Sequence, residues 1–364
     1  MTVPDGPAAT DRLAELGWEE AWAAAFSVHA AGGGRPVRVA AVDRGAVDVL
    51  GESGAGRATL GGDVLDAMAA HPAQSPCAGD WGVVRSWPDG RVTLDALLRR
   101  RTAFSRAVAS GQSRIQVLAA NADEVLVVVS LEVEPDLGRV ERLVTLAWES
   151  GAQPVAVLTK SDLVGDAHLV AADVAAAAPG VPVLVVSAVT GEGLPELAAR
   201  AAGGRTLALL GQSGAGKSTL VNALVGAEVM AVATVGSRGK GRHTTVRREL
   251  VPLPGGGLLL DTPGLRGVGL VDLADGLELA FPEIDELAAR CRFADCAHEG
   301  EPGCAVAVAI DSGELAGRRL ESWRKLRREA AWMARRTDAR LRAEERRRWA
   351  AIARSMRRRG VVRP

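Results

Sequence analysis

The octapeptide Gly211-Gln212-Ser213-Gly214-Ala215-Gly216-Lys217-Ser218 constrains the fold more than any other stretch of the chain. It satisfies G-x-x-x-x-G-K-[ST], follows the apolar run Thr206–Leu210 and opens the helical pattern Lys217–Val225. Glycines at these spacings let backbone N–H groups wrap a phosphate chain. The helix behind the loop points its positive end at the same phosphates. Lys217 would reach the outer phosphate oxygens, and Ser218 would hold Mg²⁺. Strand, loop and helix in that order belong to an α/β sheet.

The surrounding pattern agrees. From about Ile115, apolar strands alternate with amphipathic helices. Strands are expected at Glu124–Ser130, Val155–Leu158, Val181–Val186, Thr206–Leu210, Arg248–Leu253 and Gly257–Leu260. Helices are expected at Leu137–Trp148, Asp166–Ala178, Leu194–Ala202 and Lys217–Val225. Near-continuous apolar strands between helices predict a mostly parallel sheet covered on both faces. The first ~105 residues differ: short strands (Arg35–Val42, Ala46–Leu50, Trp81–Ser86) with Gly-rich turns predict a small β-barrel, and Asp11–Ala30 reads as one helix packed on it. After about Leu270 the chain becomes helical.

Three further motifs sit at strand ends. Asp261-Thr262-Pro263-Gly264 follows Gly257–Leu260, where Asp261 can hold Mg²⁺ and the Gly264 N–H can meet a γ-phosphate. Thr159-Lys160-Ser161-Asp162 follows Val155–Leu158. The Asp162 carboxylate can accept from guanine N1–H and the 2-amino group together, while adenine would leave it desolvated and unpaired. The Lys160 stem would cover the base, and Ser187-Ala188 can offer an N–H to guanine O6. In ordinary GTPases the phosphate loop precedes the base motifs. Here it follows them, so the expected domain is circularly permuted, with the old termini joined near Ala201–Arg205 and Gly203-Gly204 as a flexible link.

The chain has four cysteines, and three fall together in Cys291-x₄-Cys296-x-His298-x₅-Cys304. Three thiols and an imidazole match a closed tetrahedral site for one structural Zn²⁺. The formal charge is zero, yet Arg318–Pro364 carries 18 Arg and Lys against 5 Asp and Glu, including Arg346-Arg347-Arg348 and Arg357-Arg358-Arg359. A basic tail on an acidic body points to a polyanion partner, met through shape and backbone contacts, since the barrel is poor in aromatics. No apolar run approaches the ~18 residues of a membrane helix, and Met1–Glu20 lacks the order of a secretory leader. A cytoplasmic protein is expected.

Together these motifs resemble one family, the ribosome small subunit-dependent GTPases (RsgA, or YjeQ). The resemblance also rests on Gly79-Asp80-Trp81, Arg99-Arg100-Arg101-Thr102-Ala103, Gln116 through Asp123, Gly211 through Thr219 and Gly241-Arg242-His243-Thr244-Thr245. It implies an N-terminal helix plus OB-fold over 1–108, a circularly permuted GTPase domain over 109–272, and a zinc-binding domain with a basic C-terminal helix over 273–364. It further implies a monomeric factor in late maturation of the small (30S) subunit, binding GTP and GDP and contacting rRNA, with hydrolysis stimulated by the subunit. A GTP-dependent RNA-binding switch with negligible turnover, and a nucleotide-dependent enzyme acting on another substrate, are the alternatives. The resemblance places an Mg²⁺-binding Thr in the Gly- and Arg-rich segment Val235–Arg247; Thr244 and Thr245 are adjacent, and Thr245 is preferred. Residue 265, where many GTPases carry a water-orienting Gln, is Leu. Slow intrinsic hydrolysis follows, with His243 as candidate for positioning the water.

Overall fold

Two β systems and a helical C-terminal unit carry the structure, a computed structural model that describes residues 9–108, 114–229, 249–261 and 274–337. The chain starts with α1 (Ala9–Glu15) and α2 (Glu20–Ala30), then β1 (Arg35–Asp43), β2 (Ala46–Gly51), β3 (Gly54–Leu60), α3 (Gly62–Ala70), β4 (Trp81–Ser86) and β5 (Val92–Leu97). The five strands close a barrel in the order β1-β2-β3-β5-β4. Its interior is valine-rich, with Val39, Val47 and Leu94 fully buried.

The single helix expected over Asp11–Ala30 is two helices. Gly17 sits between them at φ +84°, and a Cβ there would lie 2.6 Å from the Gly204 carbonyl oxygen. Helical periodicity continues through this break because both segments face the same core, so the pattern alone does not reveal it. The permutation joint also departs from expectation. Ala202–Gly204 is a packed 3₁₀ turn in which Gly204 is buried against Ala14 and Gly17, not a loose link.

Next comes an antiparallel ribbon of β6 (Ala103–Val108) and β7 (Arg114–Ala120). The sheet follows: β8 (Glu124–Ser130), α4 (Leu137–Glu149), β9 (Gln153–Thr159), α5 (Ala167–Ala177), β10 (Val183–Val186), α6 (Leu194–Ala199), β11 (Thr206–Gly211), α7 (Lys217–Val225), β12 (Glu249–Pro252) and β13 (Leu258–Asp261). Its order is β10-β9-β8-β11-β13-β12, parallel except for the edge pair β12–β13. Val125, Val127, Val155, Val157, Leu207 and Leu209 are wholly buried, as strands covered on both faces require. The C-terminal unit comprises α8 (Ala274–Ala280), α9 (Pro282–Ala288), α10 (Ala305–Asp311) and α11 (Gly317–Thr337). Among the described residues no helix is long and apolar enough to cross a membrane.

Candidate functional site: a nucleotide cleft and a metal centre

Parallel strands bring their C-terminal ends to one edge, and the loops there form the cleft. Gly211 ends β11 at φ +156°, where a Cβ would lie 2.4 Å from the Val128 carbonyl oxygen, so only glycine lets the loop leave against β8. Gln212, Ser213 and Gly214 are exposed, Ala215 is buried, and Gly216 caps α7 at φ +88°. The first-turn N–H groups of α7 have no intrahelical carbonyl and face the loop's concavity. The Lys217 ammonium donates to the carbonyls of Gly211 (2.8 Å) and Gln212 (2.5 Å), so it already spans the loop. Ser218 and Thr219 sit half-buried in the first turn of α7. A cavity of about 420 Å³ lies beside the loop, bounded by Val129, Glu132, Arg139, Gln212 and Ala215.

The base motifs lie on the same edge. β9 ends at Thr159, whose hydroxyl donates to the Ala215 carbonyl in the phosphate loop at 2.7 Å. Lys160 follows in the left-handed region (φ +62°), its ammonium paired with Glu132. Asp162 is exposed, and its carboxylate accepts from the Ser187 hydroxyl at 2.5 Å. That hydroxyl accepts in turn from the N–H groups of Val189 (3.2 Å) and Thr190 (3.1 Å). Ala188 is half-buried beside it. One hydrogen bond therefore ties Thr159 to the phosphate loop, and a second joins Asp162 to Ser187 between the two base loops. Glu132 and Glu192 were not singled out from the sequence. Glu192 accepts from Ser161 (2.7 Å), and its carbonyl takes the Ser187 N–H (3.0 Å). Acidic loop residues carry no pattern that marks such a role.

Asp261 ends β13, the neighbour of β11. Gly264, Leu265, His243, Thr244, Thr245 and the arginine runs at 346–348 and 357–359 lie outside the described residues.

The C-terminal unit gathers Cys291, Cys296, His298 and Cys304, with one donor atom from each inside a 4.8 Å cluster. The His298 Nδ1 lies 3.7 Å from the Cys291 sulfur and 3.5 Å from that of Cys304, and those sulfurs are 4.0 Å apart. A tetrahedral ion with bonds of about 2.0–2.3 Å spaces its donors by about 3.3–3.8 Å, so the group fits a metal ion. Cys304 also caps α10, accepting from the Ala307 N–H at 3.4 Å. His298, at φ +61°, is buried, and its carbonyl is held by Arg324 of α11. Burial lowers the His298 pKa, which keeps the ring neutral and able to ligate. Desolvation, then the neighbouring sulfurs, push the Cys296 thiol up to about 12. Holding all three sulfurs as thiolates at this spacing would take a cation among them.

A phosphate loop placed after the base-reading loops, both on one parallel edge, defines a circularly permuted P-loop GTPase. Comparison with known proteins narrows the class. The RsgA GTPase family profile matches residues 97–271. The chain is 53% identical to the small ribosomal subunit biogenesis GTPase RsgA of Streptomyces coelicolor, over 100% of this chain and 96% of that one. The chain belongs to the RsgA GTPase family. Among solved structures, YjeQ from Thermotoga maritima shares the fold with a TM-score of 0.60 at 24% identity, covering 80% of this chain and 97% of that one. YloQ, described as a circularly permuted GTPase, gives 0.58 at 22% identity, covering 82% and 95%.

Proposed function

We propose that the protein hydrolyses GTP to GDP and phosphate in the late maturation of the small ribosomal subunit, and that the subunit stimulates the reaction. The carrying observation is the Thr159–Ala215 hydrogen bond, which closes one cleft from base loop and phosphate loop. The relative's role in small-subunit biogenesis supports the ribosomal half of the reading.

In this reading Gly211 to Thr219 wrap the phosphates, with Lys217 turning from the Gly211 and Gln212 carbonyls to phosphate oxygens. Asp162 reads the N1 and 2-amino edge of guanine, Lys160 covers the ring, and Ser187 and Ala188 meet O6. Ser218, Thr245 and Asp261 would hold Mg²⁺, which neutralises phosphate charge when bound. The Gly264 N–H senses the γ-phosphate, and His243 orients the attacking water because Leu265 cannot. Zn²⁺ is the ion proposed for Cys291, Cys296, His298 and Cys304. Closed coordination assigns it a structural task. The basic helix and the barrel face rRNA, where the barrel adds one exposed tryptophan, Trp87, with Arg85 5.8 Å from its ring. The division at 108/109 and 272/273, a monomeric state and a cytoplasmic location complete the proposal.

Hydrolysis of GTP and ATP with purified small subunits titrated in tests it. GTP-selective turnover that rises with subunit concentration is expected. A rate indifferent to the subunit, or equal use of ATP, would refute it.

A further inference from the structure

The barrel contains a buried cation that nucleotide chemistry does not use. Arg38 lies in β1 of the barrel and is 2% exposed. Among the described residues no carboxylate forms an ion pair with its guanidinium, although the charges of Asp123 and Asp80 favour its protonated form. Instead it makes four hydrogen bonds to neutral acceptors in four different parts of the molecule. Nε donates to the Gly79 carbonyl (2.8 Å) at the barrel's edge. Nη1 donates to the Leu16 carbonyl (2.8 Å) in the break between α1 and α2. Nη2 donates to the Asn121 carbonyl (2.9 Å), between ribbon and sheet, and to the Thr206 hydroxyl (3.0 Å) at the start of β11. The guanidinium also lies 5.1 Å from the Trp81 ring centre. Burial lowers its pKa to about 10, which leaves it charged near neutrality.

The neighbours close the same seam. The Asn121 side chain donates to the Gly79 carbonyl (3.1 Å) and accepts from the Arg101 N–H (2.9 Å). A Cβ on Gly79 would lie 2.0 Å from the Ala120 carbonyl oxygen and 2.9 Å from Leu260, the residue before Asp261. Thr206 heads the strand that ends at Gly211, five residues or about 17 Å further on. The seam thus meets the first residue of the phosphate-loop strand and the β13 residue that precedes Asp261.

We propose that Arg38 is a positioning residue: it joins the barrel to the nucleotide sheet as one rigid body, so that a partner seated on the barrel acts directly on β11 and the phosphate loop. The proposal rests on the reading that the ribosomal subunit stimulates hydrolysis. A guanidinium is suited to the task because its planar fork fixes the directions of several acceptors at once, which a lysine cannot do.

The test uses the full-length, metal-loaded chain, with bio-orthogonal spin labels at exposed Ser53 and Glu196 on either side of the seam. In Arg38→Met the label distance distribution broadens, and the maximal subunit-stimulated rate falls about tenfold. GTP affinity, unstimulated hydrolysis and the subunit concentration giving half-maximal stimulation stay at parental values. Thr206→Val removes one acceptor only and gives the same changes to a smaller degree, which covers the case where Arg38→Met folds poorly. A narrow distribution with full stimulation in both variants would overturn the proposal. So would a parallel loss of GTP affinity and basal rate, which marks general damage. If the parent itself shows no stimulation, the functional reading fails, and the label distances alone decide whether Arg38 holds the two units together.

Discussion

The sheet has two seams, one to the barrel and one to the C-terminal unit, and their buried contacts differ in chemistry, while exposed Arg101 pairs with Glu19 and Asp123 at the rim of the first. At the barrel seam, Arg38 meets uncharged oxygens and Gly79 brings backbone against backbone. At the other, ions meet ions. Glu141 of α4, 1% exposed, accepts from Arg318 (2.9 Å) and Arg319 (3.0 Å) of α11. Arg319 also reaches Glu283 of α9 and the carbonyls of Ala177 and Ala280, and Arg142 pairs with Glu329 at 2.5 Å. Close backbone contact tolerates little adjustment. Ion pairs between helices can part and re-form, and their outer members are open to salt. The barrel seam is therefore expected to adjust less than the exposed rim of the α11 seam, whose centre is held by buried Glu141 and Arg319 and by Leu320, Trp323 and Leu326.

Four experiments can break that contrast. The largest effect comes from removing the metal, because small zinc units draw about 10–16 kcal/mol of folding free energy from their ion. Chelation, or Cys304→Ser, should strip hydrogen-exchange protection from α9, α10 and the start of α11. Protection in β4, β7 and β11 should persist. If β11 loses protection as well, the seams are not independent. Next, Glu141→Ala leaves Arg319 buried without its charge partner on α4 and should cost about 3–5 kcal/mol, read by denaturant unfolding of the metal-loaded protein. A cost below 1 kcal/mol would mean that Glu283 and the two carbonyls suffice for Arg319. Third, Thr206→Val should cost about 1.5–3 kcal/mol, the worth of a hydrogen bond to a charged group, with no dependence on salt. Last and smallest, Glu329→Gln should cost under about 1 kcal/mol, since the Arg142 and Glu329 side chains are each about 30% exposed (32% and 30%), and the difference should vanish in 1 M salt. Salt sensitivity at Thr206 rather than Glu329 would invert the comparison.

The same contrast separates what could be read in the sequence from what could not. β8, β11 and α7 fall close to where the apolar alternation and the glycine-lysine spacing place them, because local pattern determines them. The four candidate metal ligands stand out for the same reason: their chemistry is compressed into 14 residues. Arg38 is invisible by comparison. An arginine within an alternating strand reads as a solvent-facing residue, and its partner Thr206 lies 168 residues away. Glu141 on an amphipathic helix reads as surface until α11 is laid over it. Gly79-Asp80-Trp81 and Arg100 were visible only as a resemblance, and the fold supplies their work. Asp80 is wholly buried and bridged by Arg100 (2.6 Å), which also ties down the carbonyls of Ala73 and Ser75. The break at Gly17 was hidden because its cause, the close approach of Gly204, is tertiary.

The hydroxyl of Thr159 has a consequence for fidelity. In the proposed reading it belongs to the segment that inspects the purine, yet it holds a carbonyl of the segment that would cradle the triphosphate. A nucleobase that seats badly and shifts Thr159 must also drag Ala215, so an error in letter becomes a distortion at the reacting end of the molecule. Discrimination of this kind is paid out in turnover as well as occupancy: a wrong nucleotide at saturating concentration would still react slowly.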